Sequence, residues 1–130
     1  MKSDVLRPIV AGLIGWPVFQ SKSPVIHQHW LRTLGIDGDY IRFPVLPGGA
    51  KAALSAMSSL GIAGLQATMP HKHDCYRAVD LLSDAASALG VVNTVKLQPD
   101  GRLFGHNSDL EGFIAPLIST DLAGKAVTVL

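Results

Sequence analysis

Gly64-Leu65-Gln66-Ala67-Thr68-Met69-Pro70-His71-Lys72 is a short apolar segment that ends in a hydroxyl, a proline and a lysine. Gly64 to Thr68 reads as a buried strand. Pro70 stops any ladder beyond it, because proline has no backbone donor. The lysine is therefore expected on a rigid turn at a strand end, where it can act as a fixed proton donor. Two other polar clusters, Ser21-Lys22-Ser23-Pro24 and Asn107-Ser108-Asp109, have the composition to meet it. Together they describe a pocket for a small hydroxylated acid.

Working outward, Val10-Ala11-Gly12-Leu13-Ile14-Gly15 is an apolar run closed by glycine and predicts a buried strand. Ser23-Pro24 predicts a helix start, with serine as N-cap and proline at the first helical position. Ile26, Trp30 and Leu34 then recur at helical spacing as the expected packing face, and Gly35 ends the helix. Asp39 to Val45 has strand character, and Pro47-Gly48-Gly49 is a turn. Ala50 to Leu60 predicts a second helix, packed through Ala53, Leu54 and Met57 and stopped by Gly61. Ser83 to Leu89 predicts a short helix capped by Ser83. Val91 to Leu97 and Leu103-Phe104-Gly105 flank the turn Pro99-Asp100-Gly101 and read as a hairpin. Asp109 could cap a helix running to about Leu117. Strands alternating with helices predict an α/β fold, an open twisted, mainly parallel sheet with helices on both faces.

The chain of 130 residues is about one domain. Hydrophobic residues make up 48% and charged residues 16%, enough to bury a core. The net charge is +1 with no basic stretch, which argues against a nucleic-acid partner. Met1-Lys2-Ser3-Asp4 is not followed by a signal-like core, and no apolar run approaches the ~20 residues of a membrane span. The one cysteine, Cys75, excludes an internal disulfide and fits a reducing compartment. These features predict a cytoplasmic protein without a membrane partner. Gly124 to Leu130 reads as a turn entering a buried strand that stops without a cap, as though the polypeptide were a piece of a longer one.

In open α/β sheets, ligands sit beyond the carboxyl ends of the strands. Ser21 and Ser23 follow the first strand, Thr68 and Lys72 the third, and Asn107 and Asp109 the last, while Asn93 lies in the β-rich run. Ser21 and Ser23 flank a helix N-terminus, where hydroxyls, free N–H groups and the positive dipole end favour a carboxylate. Spacing alone leaves Ser23 equally readable as a helix cap. A lysine is ordinarily an ammonium at neutral pH, and a nearby carboxylate favours that form. A Lys72–Asp109 pair would thus suit proton donation to a developing alkoxide, and a neutral lysine would serve the reverse reaction. The alternative is a solvated lysine and an unrelated capping aspartate. Asn93 and Thr68 could hydrogen-bond ring hydroxyls or simply serve turn and strand. The histidines His27, His29, His71, His73 and His106 show no metal-ligand spacing, so no metal is expected. Cys75 shows no oxyanion pattern beside it that would mark a nucleophile.

With these residues in hand, the chain resembles the substrate-binding domain of shikimate dehydrogenases, the wider family that includes quinate/shikimate enzymes. The segments that carry the resemblance are Gly12 to Pro17, Ser21 to His27, Gly61 to Leu65, Thr68 to Lys72, Val92-Asn93-Thr94 and Asn107 to Phe113. It implies an NADP(H)-linked reduction of 3-dehydroshikimate to shikimate on the route to aromatic amino acids and chorismate. Lys72 and Asp109 match the catalytic pair, Ser21 and Ser23 the carboxylate-binding serines, and Thr68, Asn93 and Asp109 the contacts to ring hydroxyls. Gln66 stands, with Ala67, where the family usually has Asn-Val, and Ser108 where it usually has Thr. Gln66 keeps an amide one methylene further out and is counted with the substrate-binding set. The resemblance also implies a substrate-binding domain over residues 1–120 and the start of a dinucleotide-binding domain at 121–130. The NADP site is then expected downstream. The partner is a small molecule, shikimate or 3-dehydroshikimate, and a homodimer stays open. A paralogue for a related ring acid such as quinate, or a stand-alone hydroxy-acid-binding domain without catalysis, are the competing expectations.

Overall fold

The computed structural model describes residues 8–128; the Met1 to Asp4 segment and Val129-Leu130 lie outside the described residues. A six-stranded sheet forms the frame, in the order β2-β1-β3-β5-β6-β4. Its strands are β1 (Ile9–Gly15), β2 (Gly38–Pro44), β3 (Ile62–Ala67), β4 (Leu81–Leu82), β5 (Thr94–Leu97) and β6 (Leu103–His106). The helices are α1 (Ser23–Thr33), α2 (Ala50–Ser55), α3 (Met57–Leu60), α4 (Lys72–Ala78), α5 (Asp84–Leu89) and α6 (Asp109–Ile114), the last followed by a 3-10 turn at Ala115–Leu117. β1 pairs in parallel with β2 and β3, and β4 with β6, while β5 is antiparallel to both β3 and β6. The sheet is thus mostly parallel, as expected, with β5 alone running against the rest.

That one reversal matters for the site. Gln66 on β3 pairs with Thr94 on β5, and Thr94 pairs with His106 on β6. The start of β5 therefore lies beside the ends of β3 and β6. Asn93, just before β5, reaches the same sheet edge as Thr68 and Asn107.

The core has two parts, one on each face. The larger is built from Ile14, Leu54, Met57, Leu65, Val92 and Val95 with Cys75 and Ala86, under α2 to α5. The smaller holds Leu13, Val18 and Tyr40, with Ala11 and Leu31 against it, under α1. Leu54 and Met57 are essentially without solvent contact. Fully burying such a side chain stabilises by about 1.5–3 kcal/mol.

Several local expectations are corrected. The Ile26, Trp30 and Leu34 stripe faces outward, 45%, 53% and 70% exposed. Pro24, Leu31 and His27 face the sheet instead, His27 because its ring stacks on Tyr40. Ser23 does not cap α1: Lys22 occupies the N-cap position without a side-chain cap bond, and the Ser23 N–H donates to Ser21 Oγ instead. The single helix expected over Ala50–Leu60 is broken at Ala56 into α2 and α3. Gly61 does end it, at φ 68°, a left-handed conformation that costs glycine little. Lys72 opens a helix, α4, where the sequence predicts a turn, and β4 has no counterpart among the strands the sequence predicts. Ser83 caps α5 by accepting from the Ala86 N–H at 3.2 Å, as expected. Asp109 begins α6 but does not cap it; Asn107 Oδ1 accepts from the Leu110 N–H at 3.1 Å. Residues 125–128, read as the entry to a strand, form neither helix nor strand.

Candidate active site

Each wall of the candidate site is fixed by backbone bonds that sequence separation hides. After β3, the Thr68 N–H donates to Ile14 O at 3.0 Å, and the Trp16 N–H to Met69 O at 3.1 Å. These bonds bind the turn after β3 to the end of β1. The fit is close: a Cβ on Gly15 would lie 2.5 Å from the Thr68 methyl, so only glycine lets Thr68 approach. His71, fully buried, donates from Nε2 to Val45 O at 2.7 Å and ties the start of α4 to the chain after β2. The Val92 N–H donates to Lys72 O at 3.0 Å and the Ala67 N–H to Asn93 O at 2.8 Å. Lys72, Asn93 and the end of β3 are thereby held as one unit.

Asn93 is 7% exposed, and its amide is heavily engaged. Nδ2 donates to Ser108 Oγ at 2.9 Å, and Oδ1 accepts from the Ser108 N–H at 3.1 Å and from Thr94 Oγ1 at 3.0 Å. Buried amides need such partners, since an unmade bond costs roughly 1–3 kcal/mol. Asn93 thus clamps the turn that carries Asp109. Asn107 supports the other side of that turn, 1% exposed, through its bond to the Leu110 N–H. With Asn107 taking the capping role, Asp109 is left to Lys72: Lys72 Nζ and Asp109 Oδ2 are 2.6 Å apart. Both side chains keep solvent access, 31% and 54%.

The serine wall is built differently from the sequence expectation. Ser21 Oγ accepts from the Ser23 N–H at 3.2 Å and donates to Ser23 Oγ at 3.2 Å. Ser21 therefore has a local structural role that the sequence did not reveal. Arg42, on β2, donates to Ser21 O from Nη2 at 2.5 Å and from Nε at 3.2 Å. It fixes the serine turn and brings a positive charge near it. The sequence reading missed Arg42; the only signal was a lone cation in an apolar strand.

Ser23, Gln66, Thr68, Lys72, Asn93 and Asp109 line one polar cleft of about 160 Å³, together with the apolar Leu13 and Ala67. Ser21 is not on that lining but bonds to Ser23. A larger groove of about 340 Å³ runs over β1, β3 and β5 beside α1, lined by Ala11, Gly12, Leu31, Tyr40 and Leu65 among others. Its surface is mainly apolar, so the polar cleft is where chemistry can occur. Among the described residues, no group of three or more His, Cys, Asp or Glu could hold a metal. Cys75 is buried, and desolvation with the Asp74 charge pushes its thiol up to about 12, which keeps it a thiol rather than a nucleophilic thiolate.

A mostly parallel sheet with a polar cleft at its carboxyl edge, and a lysine–carboxylate pair inside it, defines an α/β domain of the small-molecule-binding class. The comparisons specify which. Residues 13–95 match the family model of the shikimate dehydrogenase substrate binding domain, and the chain belongs to that family. It is 46% identical over 108 residues to a shikimate dehydrogenase (NADP(+)) of Rhodospirillum rubrum, covering 83% of this chain and 38% of that protein. The shikimate 5-dehydrogenase of Thermus thermophilus, solved with NADP(H) and shikimate, superposes with a TM-score of 0.78 at 33% identity, over 84% of this chain and 41% of that one. The ligand-free 5-ketofructose reductase of a Gluconobacter strain superposes with a TM-score of 0.80 at 27% identity, over 88% of this chain and 42% of that one. The chain thus spans about two-fifths of the length of these relatives. No helix among the described residues is long and apolar enough to cross a membrane.

Proposed function

We propose that this chain carries the substrate-binding and proton-transfer half of an NADP(H)-dependent shikimate dehydrogenase that reduces 3-dehydroshikimate to shikimate. The observation that supports it most is the 2.6 Å Lys72–Asp109 contact on a cleft that also holds Ser23, Gln66, Thr68 and Asn93. In this reading, Ser21 and Ser23, at the positive end of α1 and backed by Arg42, receive the ring carboxylate. Thr68, Asn93 and Gln66 hydrogen-bond the ring hydroxyls and set the ring's position. The Lys72 ammonium donates a proton to the carbonyl oxygen as it becomes an alkoxide, and Asp109 holds that ammonium in place. In the oxidation direction, neutral Lys72 takes the hydroxyl proton back. General acid–base help of this kind is worth roughly 10²–10⁴-fold.

The residues described here do not fit a dinucleotide. The 130-residue sequence contains no Gly-x-Gly-x-x-Gly run, and the cleft offers no glycine-rich turn against which a pyrophosphate could lie. NADP(H), bound elsewhere in the whole protein, would supply the hydride. We place the substrate domain over residues 1–120 and read 121–130 as the approach to the nicotinamide-binding part; residues 111–128 are exposed throughout. A cytoplasmic location belongs to the same proposal, as for other biosynthetic enzymes of free metabolites.

A second reading has its own support. Gln66 lines the cleft at a position where the family resemblance leads one to expect asparagine, and the chain is similar in fold to a 5-ketofructose reductase. These two points support a paralogue acting on a related hydroxy acid such as quinate, or on another polyhydroxy ketone. The test is a substrate screen of the full-length protein with NADP and NAD. Shikimate as the best substrate with NADP supports the first reading. Turnover of quinate or another polyhydroxy compound without shikimate activity overturns it in favour of the second.

A further inference from the structure

Gln66 belongs to both cavities, the polar cleft and the apolar groove. It pairs with Leu13 on β1 and Thr94 on β5, so it stands on the α1 face of the sheet. Its Oε1 accepts a hydrogen bond from the Tyr40 hydroxyl, which reaches over β1 from β2. Tyr40 is 5% exposed and itself firmly held. Its ring stacks on His27, centroids 4.1 Å apart and planes 11° from parallel. His27 in turn donates from Nδ1 to Ser23 O at 2.9 Å and meets Trp30 edge-on at 5.0 Å. A continuous line of contacts thus runs from Ser23 through His27 and Tyr40 to Gln66.

The chemistry of this line is directional. Burial raises the Tyr40 phenol well above its ordinary range, so it stays a neutral donor across all working pH. A primary amide has one acceptor oxygen and one donor nitrogen. Tyr40 engages one of the two lone pairs of Oε1 and draws that end of the amide toward β2, which leaves Nε2, with its two N–H donors, as the end available to the cleft. An asparagine, one methylene shorter, extends less far from β3 toward Tyr40.

We propose that Tyr40 is a positioning residue that orients the Gln66 amide, so that Gln66 turns its Nε2 donors to the ligand and selects an acceptor oxygen there. This rests on the reading of the cleft as the ring-acid site. It names a specificity device for that site: a hydroxyl or carbonyl oxygen of the ring is accepted opposite Gln66, and an analogue lacking that oxygen is rejected.

The experiment is a double-mutant cycle in the full-length protein, with initial rates of shikimate oxidation by NADP. Tyr40→Phe keeps the ring, its stack on His27 and its place in the core, and removes the hydroxyl alone. Loss of one such bond predicts a KM raised about 3- to 10-fold with kcat within about twofold. Gln66→Leu is expected to raise KM at least as much. In the Gln66→Leu background, Tyr40→Phe should change nothing further, because Tyr40 acts through Gln66. Should Tyr40→Phe fail to fold, Gln66→Glu reads the same point, since it keeps an acceptor for Tyr40 but has no donor for the cleft; an unchanged KM there overturns the inference. A wild-type KM for Tyr40→Phe also overturns it, as does an equal effect of Tyr40→Phe in both backgrounds, which would mark a purely structural tyrosine. A wild-type protein that neither binds nor turns over shikimate or quinate removes the ring-acid reading itself and this inference with it. A normal wild type with a silent Tyr40→Phe removes the positioning role alone.

Discussion

Lys72→Ala in the full-length protein separates chemistry from stability, because the structure predicts opposite outcomes for the two. The ion pair with Asp109 is partly solvated, 31% and 54% exposed, and pairs of that kind contribute about 0–1 kcal/mol. Lys72 is also the first residue of α4, where a cation opposes the helix dipole by roughly 0.3–1 kcal/mol. The two effects nearly cancel, so the melting temperature should move by only a few degrees. Loss of the proton donor should lower kcat about 10²–10⁴-fold, roughly 3–5 kcal/mol of transition-state stabilisation. KM should change modestly, because the serine, threonine and amide contacts remain. Initial rates followed by NADPH absorbance, with a thermal melt of each preparation, give both quantities. A kcat within a few-fold of wild type would refute the proton-donor role. A fall in kcat accompanied by a collapse of the melt would show that Lys72 acts on the fold instead.

Two further outcomes follow from buried groups. Asn93→Leu removes the clamp on the Ser108 turn and should cost about 1–3 kcal/mol of stability in a urea titration, with kcat falling because Asp109 is released; an unchanged midpoint would show the clamp to be idle. Cys75 should resist thiol reagents in the native protein near about pH 8 and react on unfolding. Its folded pKa is raised, so the unfolded thiol ionises first; stability is full below about pH 9 and declines by up to ~1.4 kcal/mol per pH unit between there and about 12. Flat stability over that window would contradict the burial of the thiol.

The parts of the fold set by local chemistry were legible in the sequence. The apolar run that became β1, the Ser-Pro start of α1, the glycine stop at Gly61, the Ser83 cap and the hairpin turn all lie in short stretches whose residues decide them. What failed depended on partners far along the chain. The Ile26, Trp30 and Leu34 periodicity marks an apolar face but not which body covers it, and the aromatic stack of His27 on Tyr40 decided the other face. α4 was missed because Cys75 is its only fully buried residue. Its signal was electrostatic: Asp74 in the first turn, Arg77 in the last, and the 2.6 Å bond between them.

That the candidate residues gather in one place was legible in the sequence; the bonds that hold them there were not. Six of the seven residues singled out line one cleft, and Ser21 hydrogen-bonds to one of them, Ser23. The assignment of Ser23 and Asp109 as caps could not be tested by spacing, because Ser21 and Asn107 take those hydrogen bonds instead. Asn93 reaches the cleft only because β5 runs against its neighbours, a reversal that no local pattern encodes. Arg42 and Tyr40 act from β2 across the sheet, and neither carries a motif.

The central claim is that one cleft holds a ring acid with its reacting oxygen at Lys72. A structure of the full-length protein with shikimate bound tests it most directly. The account predicts the carboxylate against the Ser21 and Ser23 hydroxyls and a ring hydroxyl within hydrogen-bond reach of both Lys72 Nζ and Asp109. Shikimate seated in the apolar groove beside α1, or bound with Lys72 and Asp109 untouched, would contradict it.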